Sequence, residues 1–390
     1  MDILVIGTGM YTTGLGTNEY GTIIPSIFEY QRQNNLVNNV FVVGSKGSNT
    51  KKAIKKIHKV SKLTNIKINF SFFPKNNIND KSAYKKVLKK IKLPACAIIA
   101  VPDHLHFEIT KDCLEKGLHT LVVKPLTNNI KQSKKLIEIT KKKKIYAAVE
   151  FHKRWDRQNL MLKDSFNKKE LGIPLYTWTE YSQQKKIPEN FFRSWAHKTN
   201  ILQYLGTHYI DIIRFVTEAI PTHVMAIGQK KWLKKRGINS YDSIQCIINW
   251  KMKNGNNFSQ TLLTNWIDPN TSSAVSDQKI KFIGTKGRFE SDQKDRGISI
   301  QLDNQILQQP NPDFCKIYGY KKGNFQWRGY GIDSIKAFLK DVNSIINFPE
   351  NLSLIKKNRP TFEESLISTS VIEAANKSLK NNSNWKKINF

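Results

Sequence analysis

The sequence is short of acid: 31 Asp and Glu stand against 63 Lys and Arg, for a formal net charge of +32 over 390 residues. It lacks any stretch near the run of about 20 apolar residues that a membrane span needs. Its four cysteines, Cys96, Cys113, Cys246 and Cys315, form no C-x-x-C pair. The opening "MDILVIG" carries Asp2 where an export signal would carry basic charge. These absences argue against a membrane protein, a secreted disulfide scaffold and a zinc site, and no metal is expected. They fit a reducing cytoplasm, the expected location, where triplets such as Asn270–Ser272 would have no meaning as glycosylation sites.

The positive charge raises nucleic-acid binding, since a basic surface attracts phosphates without specificity. The lysines, however, are spread through "KKAIKKIHK", "YKKVLKKIK" and "KKKKIY", on polar helix faces and at helix ends. No aromatic residues are interleaved with them as a stacking platform requires. With Asn and Ile also abundant, the pattern reads as compositional drift, and no nucleic-acid or membrane partner is expected.

The length suggests two domains. Over residues 1–150, apolar runs at 3–6, 40–43, 68–73, 96–101, 119–123 and 146–151 alternate with amphipathic segments near 21–32, 50–61, 81–91, 104–117 and 129–143. Continuous apolar strands bridged by helices predict a doubly wound parallel sheet of Rossmann type, with ligands at the carboxyl ends of the strands. Residues 151–390 read differently. A helix near 156–168, a strand-like "GIPLYTWTEYS" and a helix over 200–216 lead to dense strand candidates, "HVMAIGQKKW", "DSIQCIINWKM", "NFSQTLLTNWI", "QKIKFIGTKGRFES" and "ISIQL". They predict an α/β domain with a large, mostly antiparallel open sheet. Helices return near 332–346 and 361–379, the last expected to pack back on the first domain.

The first strand runs into "IGTGMYTTGLG". Gly7 suits a tight turn and Gly9 a close approach of backbone to pyrophosphate, with Met10 beside them and Thr12 at the usual third glycine position. The loop to the next helix is long, with Gly14, Gly16 and Gly21 inside it. At the end of the second strand, "VVGSKGSNTKK" lacks the acid that would bind a ribose diol. Ser45 and Lys46 stand there instead and suit a 2′-phosphate, so NADP is expected ahead of NAD.

"IIAVPDHLHFEIT" (98–110) and "GLHTLVVKPLTNN" (117–129), taken with the glycine loop, resemble the Gfo/Idh/MocA family, the glucose-fructose oxidoreductase and inositol dehydrogenase group. The resemblance continues through "GTHYIDIIRF" (206–215), "KFIGTKGRFESD" (281–292) and the final helix, in the same order. It implies hydride exchange between a nicotinamide and a sugar, cyclitol or related hydroxyl compound, and a homodimer or homotetramer built through the C-terminal sheet. Two other uses of the fold stay open: redox-neutral glycoside hydrolysis with tightly held NAD, and a catalytically silent cofactor-binding regulator.

Within this resemblance Lys124 matches the catalytic lysine of a Glu-Lys-Pro motif, whose glutamate is replaced by Val123, and Pro125 completes it beside the cofactor. His208 matches the catalytic histidine, while Tyr204 stands where the family has Asp four residues earlier. Asp211, one turn beyond His208, is placed to orient it. Pro102 and His106 shape the wall near the nicotinamide, with a capping or packing role equally open for His106. In "VEFHKRWD", Glu150, His152 and Arg154 are candidates for binding substrate hydroxyls or a carboxylate. A lysine near its reference pKa of about 10.4 is a poor base, so Lys124 is assigned to positioning, His208 to acid/base work and Tyr204 to hydrogen-bonding the substrate hydroxyl or relaying its proton.

Overall fold

In the computed structural model, which describes residues 1–321 and 323–390, six short apolar strands form a wholly parallel sheet in the order β3-β2-β1-β4-β5-β6. These are β1 (Asp2–Ile6), β2 (Asn39–Val43), β3 (Asn69–Phe73), β4 (Ala95–Ile99), β5 (His119–Val123) and β6 (Ala147–Glu150). Ile3, Leu4, Val5 and Ile98 are fully buried, as strands covered on both faces must be. The connecting helices are α1 (Met10–Thr13), α2 (Ile23–Asn34), α3 (Gly47–Thr64), α4 (Ala83–Lys90), α5 (His106–Lys116) and α6 (Ile130–Lys143).

A second sheet has seven strands in the order β12-β11-β7-β10-β9-β8-β15. They are β7 (Pro174–Gln184), β8 (Ile220–Gln229), β9 (Ser243–Lys251), β10 (Asn257–Asp268), β11 (Ser276–Gly284), β12 (Arg288–Asp292) and the terminal β15 (Lys386–Lys387). Its pairings are antiparallel except β7 with β10. The side chains alternate as the pleat dictates. Thr179, Leu262, Cys246 and Ala226 are buried with α7 (Arg157–Asn167), α8 (Thr207–Thr217) and α12 (Phe362–Lys380) in one core, whereas Trp178, Leu263, Ile247 and Met225 lie half-buried on the other face.

The chain divides into two compact units, and the division differs from the expected cut at residue 150. The first holds Met1–Thr127, Lys131–Trp155 and Asp313–Glu364; the second holds Asn128–Ile130, Asp156–Pro312 and Ser365–Phe390. The second unit includes the short α9 (Trp232–Lys235). The segment that returns to the first unit is thus not the final helix. It is a hairpin, β13 (Lys316–Tyr318) with β14 (Gln326–Arg328), followed by α10 (Tyr330–Asn347) and α11 (Asn351–Lys357). In α10, Ile332, Ile335, Phe338, Leu339 and Val342 follow the 3.6-residue period and join the core of β1 and α2. Phe338 stacks on Tyr146 at 5.6 Å, and the Tyr146 hydroxyl donates to Asp341, which also accepts two bonds from Arg359.

Two expectations fail locally. "ISIQL" forms no strand: Ile298, Ile300 and Leu302 are exposed, and only an isolated bridge joins Ile300 to Gln308. The helix expected over 200–216 is two pieces, a π turn over Leu202–Gly206 and then α8.

Candidate active site

The glycine loop explains its own spacing. Gly7 has φ +115°, and a Cβ there would lie 2.0 Å from the Ala100 carbonyl oxygen, so the close pass of β1's end against the turn after β4 requires glycine. A Cβ on Gly9 would meet nothing within 4 Å. The ground beside Gly9 is open, as a backbone that admits a pyrophosphate needs. Met10 then starts α1, a single turn, and the buried Thr12 hydroxyl in it has no hydrogen-bond partner. The chain next makes a closed excursion before α2: Thr17 N donates to the Gly14 carbonyl, and Thr22 N to that of Tyr11. Lys56 of α3 holds the excursion by donating to the Thr17 and Glu19 carbonyls, both at 2.7 Å. The later glycines therefore serve this excursion, not the phosphate turn.

Ser45 and Lys46, at the end of β2, are exposed and line an open pocket with Asn79, Asp80, Lys81 and Ser82. Asp80 N donates to the Ser45 carbonyl, fastening the two walls. Hydrogen bonds from Lys86 and Ser82 hold the Asp80 carboxyl down at about 2.

Lys124 follows β5 and is only 8% exposed. Burial pulls its ammonium from 10.5 down to about 8, against the opposing pull of Asp103 and Glu150. Asp103 is buried in the 3-10 turn over Asp103–Leu105 that begins after Pro102. His106 braces the neighbouring turns. Its Nδ1 lies 2.6 Å from the Pro125 carbonyl oxygen and its Nε2 2.9 Å from that of Val101, so its ring spans the segments that carry Pro102 and Lys124. That geometry gives His106 a bracing role between the two turns.

The candidates after β6 are also buried. Glu150 is 2% exposed, with Oε1 accepting from Ser334 at 2.7 Å and Oε2 from His152 Nδ1 at 2.9 Å. The Tyr11 hydroxyl lies 3.4 Å from the same His152 nitrogen. Burial first, then Glu150, hold the Tyr11 phenol well above its ordinary value. The His152 ring packs against Tyr330 and Phe314. Glu150 is thus buried with a hydrogen bond to each of its two oxygens. Arg154 is buried, as is Lys153, which the sequence reading passed over and which is 1% exposed. Tyr11, Asp103, Lys153 and Ser334 are the polar groups that sequence reasoning missed. Asp103 alone carried a signal, standing directly after a strand in "VPDHLH".

In the second unit, His208 lies in the first turn of α8 and is 1% exposed, its ring centroid 6.1 Å from that of Tyr181. Asp211, one turn on, is buried too. Tyr204 lies in the π turn within an aromatic cluster, with ring centroids 4.8 Å from Phe192, 6.1 Å from Trp195 and 5.8 Å from Trp266. Packing accounts for an aromatic residue at that position. Among the described residues no group of His, Cys, Asp and Glu is arranged to hold a metal ion, and no helix is long and apolar enough to cross a membrane.

Residues 1–151 match the family model described as the oxidoreductase family with an NAD-binding Rossmann fold, and residues 160–290 match the GFO/IDH/MocA C-terminal domain. An NADP-dependent scyllo-inositol 2-dehydrogenase, IolW, of Bacillus subtilis (strain 168) is 26% identical over 115 residues, 29% of this chain and 32% of that protein. The chain thus aligns with about a third of that relative's length. The myo-inositol 2-dehydrogenase of Thermotoga maritima is 23% identical over 274 residues, 69% of this chain and 76% of that one. The structure of scyllo-inositol dehydrogenase from Lactobacillus casei, with bound NAD(H) and scyllo-inositol, covers 99% of this chain and 98% of its own. It superposes with a TM-score of 0.69 at 14% identity, a likeness of fold.

Proposed function

The chain belongs to the Gfo/Idh/MocA oxidoreductase family, and on that premise we propose that it is an NAD(P)-dependent oxidoreductase acting on a secondary hydroxyl or ketone of a cyclitol, sugar or sugar derivative. The observation that carries the reading is Lys124. It is a buried lysine at the carboxyl end of a parallel strand, brought to about 8 and flanked by Asp103 and Glu150.

The glycine turn fits a dinucleotide: the open ground beside Gly9 and the unpartnered Thr12 hydroxyl leave space and polarity where phosphates belong. When bound, the nicotinamide supplies the hydride acceptor or donor. The protein's own groups do the rest. Gly7 and Gly9 shape the phosphate turn, and Ser45 and Lys46 receive a 2′-phosphate, which favours NADP. Lys124 holds the substrate hydroxyl. At about 8 it also exchanges a proton near neutral pH, a larger part than an unperturbed lysine would take. In this reading His208, with Asp211 one turn on in α8, supplies the acid/base group of the second unit, and Arg154 binds substrate oxygens. The substrate class follows from what the relatives are named for, inositols.

A cytoplasmic setting belongs to this reading. So does self-association as a homodimer or homotetramer through the half-buried sheet face of Trp178, Ile247 and Met225. Light scattering after gel filtration checks the assembly. The activity is tested by screening inositols, sugars and sugar nucleotides for reduced-nicotinamide fluorescence. Formation of NADPH with one of them, lost in Lys124→Met, supports the reading. No turnover across the panel, together with no binding of NAD or NADP, overturns it.

A further inference from the structure

The loop that follows β3 lies close against the end of β2. Gly47 N donates to the Ile78 carbonyl at 2.8 Å and Asp80 N to that of Ser45 at 2.9 Å, and between them Lys46 pairs with Asn79 in an antiparallel bridge. A Cβ on Gly47 would lie 2.1 Å from the Asn76 carbonyl oxygen, so this approach requires glycine. Two walls result, Ser45 and Lys46 on one side and Asn79–Ser82 on the other, around an open pocket of about 470 Å³. The loop brings one acid to the pocket, Asp80. An uncommitted carboxylate there would repel a phosphate and suit a ribose diol. Both of its oxygens are committed, however. Oδ1 accepts from Ser82 N at 2.8 Å and from Ser82 Oγ at 2.6 Å, and Oδ2 accepts from Lys86 at 2.7 Å. With that charge answered by Lys86, the pocket is left with Lys46 on one wall and Lys81 on the other. A phosphate monoester carries a charge of about −1.5 to −2 at neutral pH, which two ammonium groups match.

We propose that the loop after β3 is the second half of the cofactor's 2′-phosphate site: Lys81 meets the phosphate from the wall across from Lys46, and Asp80, answered by Lys86, is a positioning residue that fastens this wall to Ser45. The role rests on the reading above, in which the chain takes NADP ahead of NAD. The second wall supplies what the end of β2 does not hold by itself, another cation. It also accounts for an acid beside a phosphate, because Asp80 is turned to its own loop and to Lys86. Lys86 reaches Asp80 from α4 and does not itself line the pocket. It therefore governs discrimination at one remove: without it, the Asp80 carboxylate stands uncompensated at the pocket and disfavours a phosphate relative to a hydroxyl.

The test is binding and needs no turnover. Titration calorimetry of the full-length protein compares adenosine 2′,5′-bisphosphate with adenosine 5′-monophosphate, which differ by the 2′-phosphate alone, and NADP with NAD. The wild type is expected to prefer the 2′-phosphorylated member of each pair. Lys81→Met should cut that preference by about tenfold, the value of one charge-assisted contact, and leave the affinity for the monophosphate unchanged. Lys86→Met should cut it as well, and Lys86→Arg, which keeps the ion pair, should restore it. A residue that merely supported the loop would weaken both members of a pair alike. Lys85→Met removes the same charge one position away, from a side chain paired with Asp112 at 3.3 Å, and should leave the preference where it is. A preference unmoved in Lys81→Met or in Lys86→Met overturns the proposal. So does an equal fall in Lys85→Met, which would show only the overall charge of the chain at work. The two readings fail differently. Binding of none of the four nucleotides sinks the dinucleotide reading, whereas binding of NADP and NAD with a ratio that Lys81→Met does not move sinks this site alone.

Discussion

Replacing Lys124 with Met should make the protein more stable and less active. The magnitude follows from the lysine's environment. Burial lowers its pKa from 10.5 to about 8, a displacement worth about 3 kcal/mol at 1.36 kcal/mol per unit. The sign is that of a group whose folded-state pKa lies below its unfolded one. Below about pH 8 the folded protein carries a buried ammonium that the unfolded chain would solvate, so the penalty is fully present. Between about 8 and 10.5 the unfolded chain binds the extra proton, and stability rises by about 1.4 kcal/mol per pH unit until the penalty is gone. Methionine has a similar length and no charge. Lys124→Met should therefore gain about 3 kcal/mol at neutral pH, and on the order of 5–10 °C in melting temperature for a domain of this size class. The gap should close at alkaline pH. Scanning calorimetry of both proteins near pH 7 and near pH 10 measures it, and turnover should meanwhile fall by orders of magnitude. A Met variant no more stable at neutral pH, or a gap that does not narrow on raising the pH, would refute the claim that the lysine is held against its solvation preference.

Gly9→Val should abolish dinucleotide binding while leaving the circular dichroism spectrum unchanged, because its side chain enters open ground; Gly7→Ala should instead destabilise the fold, since its Cβ meets the Ala100 carbonyl. Equal effects of the two on stability would show the distinction to be wrong. Lys46→Asp should weaken NADP by about tenfold to a hundredfold, the value of a charge-assisted bond of roughly 1.5–3 kcal/mol. Titration calorimetry checks this, and tighter binding of NAD than of NADP by the wild type contradicts it. Tyr204→Phe keeps the ring among Phe192, Trp195 and Trp266, so a loss of turnover below about threefold assigns Tyr204 to packing and a larger one restores its hydroxyl to the chemistry.

The six strands of the first sheet were legible because buried parallel strands read as unbroken apolar runs, and "ILVI" and "CAIIAV" are such runs. The partner of α10 was not legible. The spacing of Ile332, Ile335, Phe338 and Leu339 says which face is buried but not which core receives it, and that core belongs to the first unit. The π turn over Leu202–Gly206 escaped for a related reason, since apolar periodicity does not register one extra residue in a turn. In the candidate site, Gly7, Gly9 and Lys124 could be singled out because each stands just beyond the end of a parallel strand, β1 or β5. Glu150 was legible as a candidate at the end of β6, but the groups that hold it were not. Alternation along β6 predicts the direction of a side chain, whereas its partners come from Tyr11 and from Ser334, 141 positions before His152 and 184 positions beyond Glu150.

The excess of lysine sharpens the assignment instead of blurring it. In so basic a chain, composition cannot single out a working lysine, because an exposed ammonium on a helix face such as that of α3 or α6 costs nothing to keep. Burial does single one out. Among the described residues two lysines are buried, Lys124 and Lys153, and both lie in the first unit at the carboxyl ends of its strands, where the doubly wound fold places ligands. A lysine in either place loses solvation, and for Lys124 the sheet itself returns part of it through Asp103 on one side and Glu150 on the other. Drift toward lysine fills surfaces. It does not by itself bury an ammonium, and that difference in cost is what sets Lys124 apart, under the proposed function, from the many lysines that are merely tolerated.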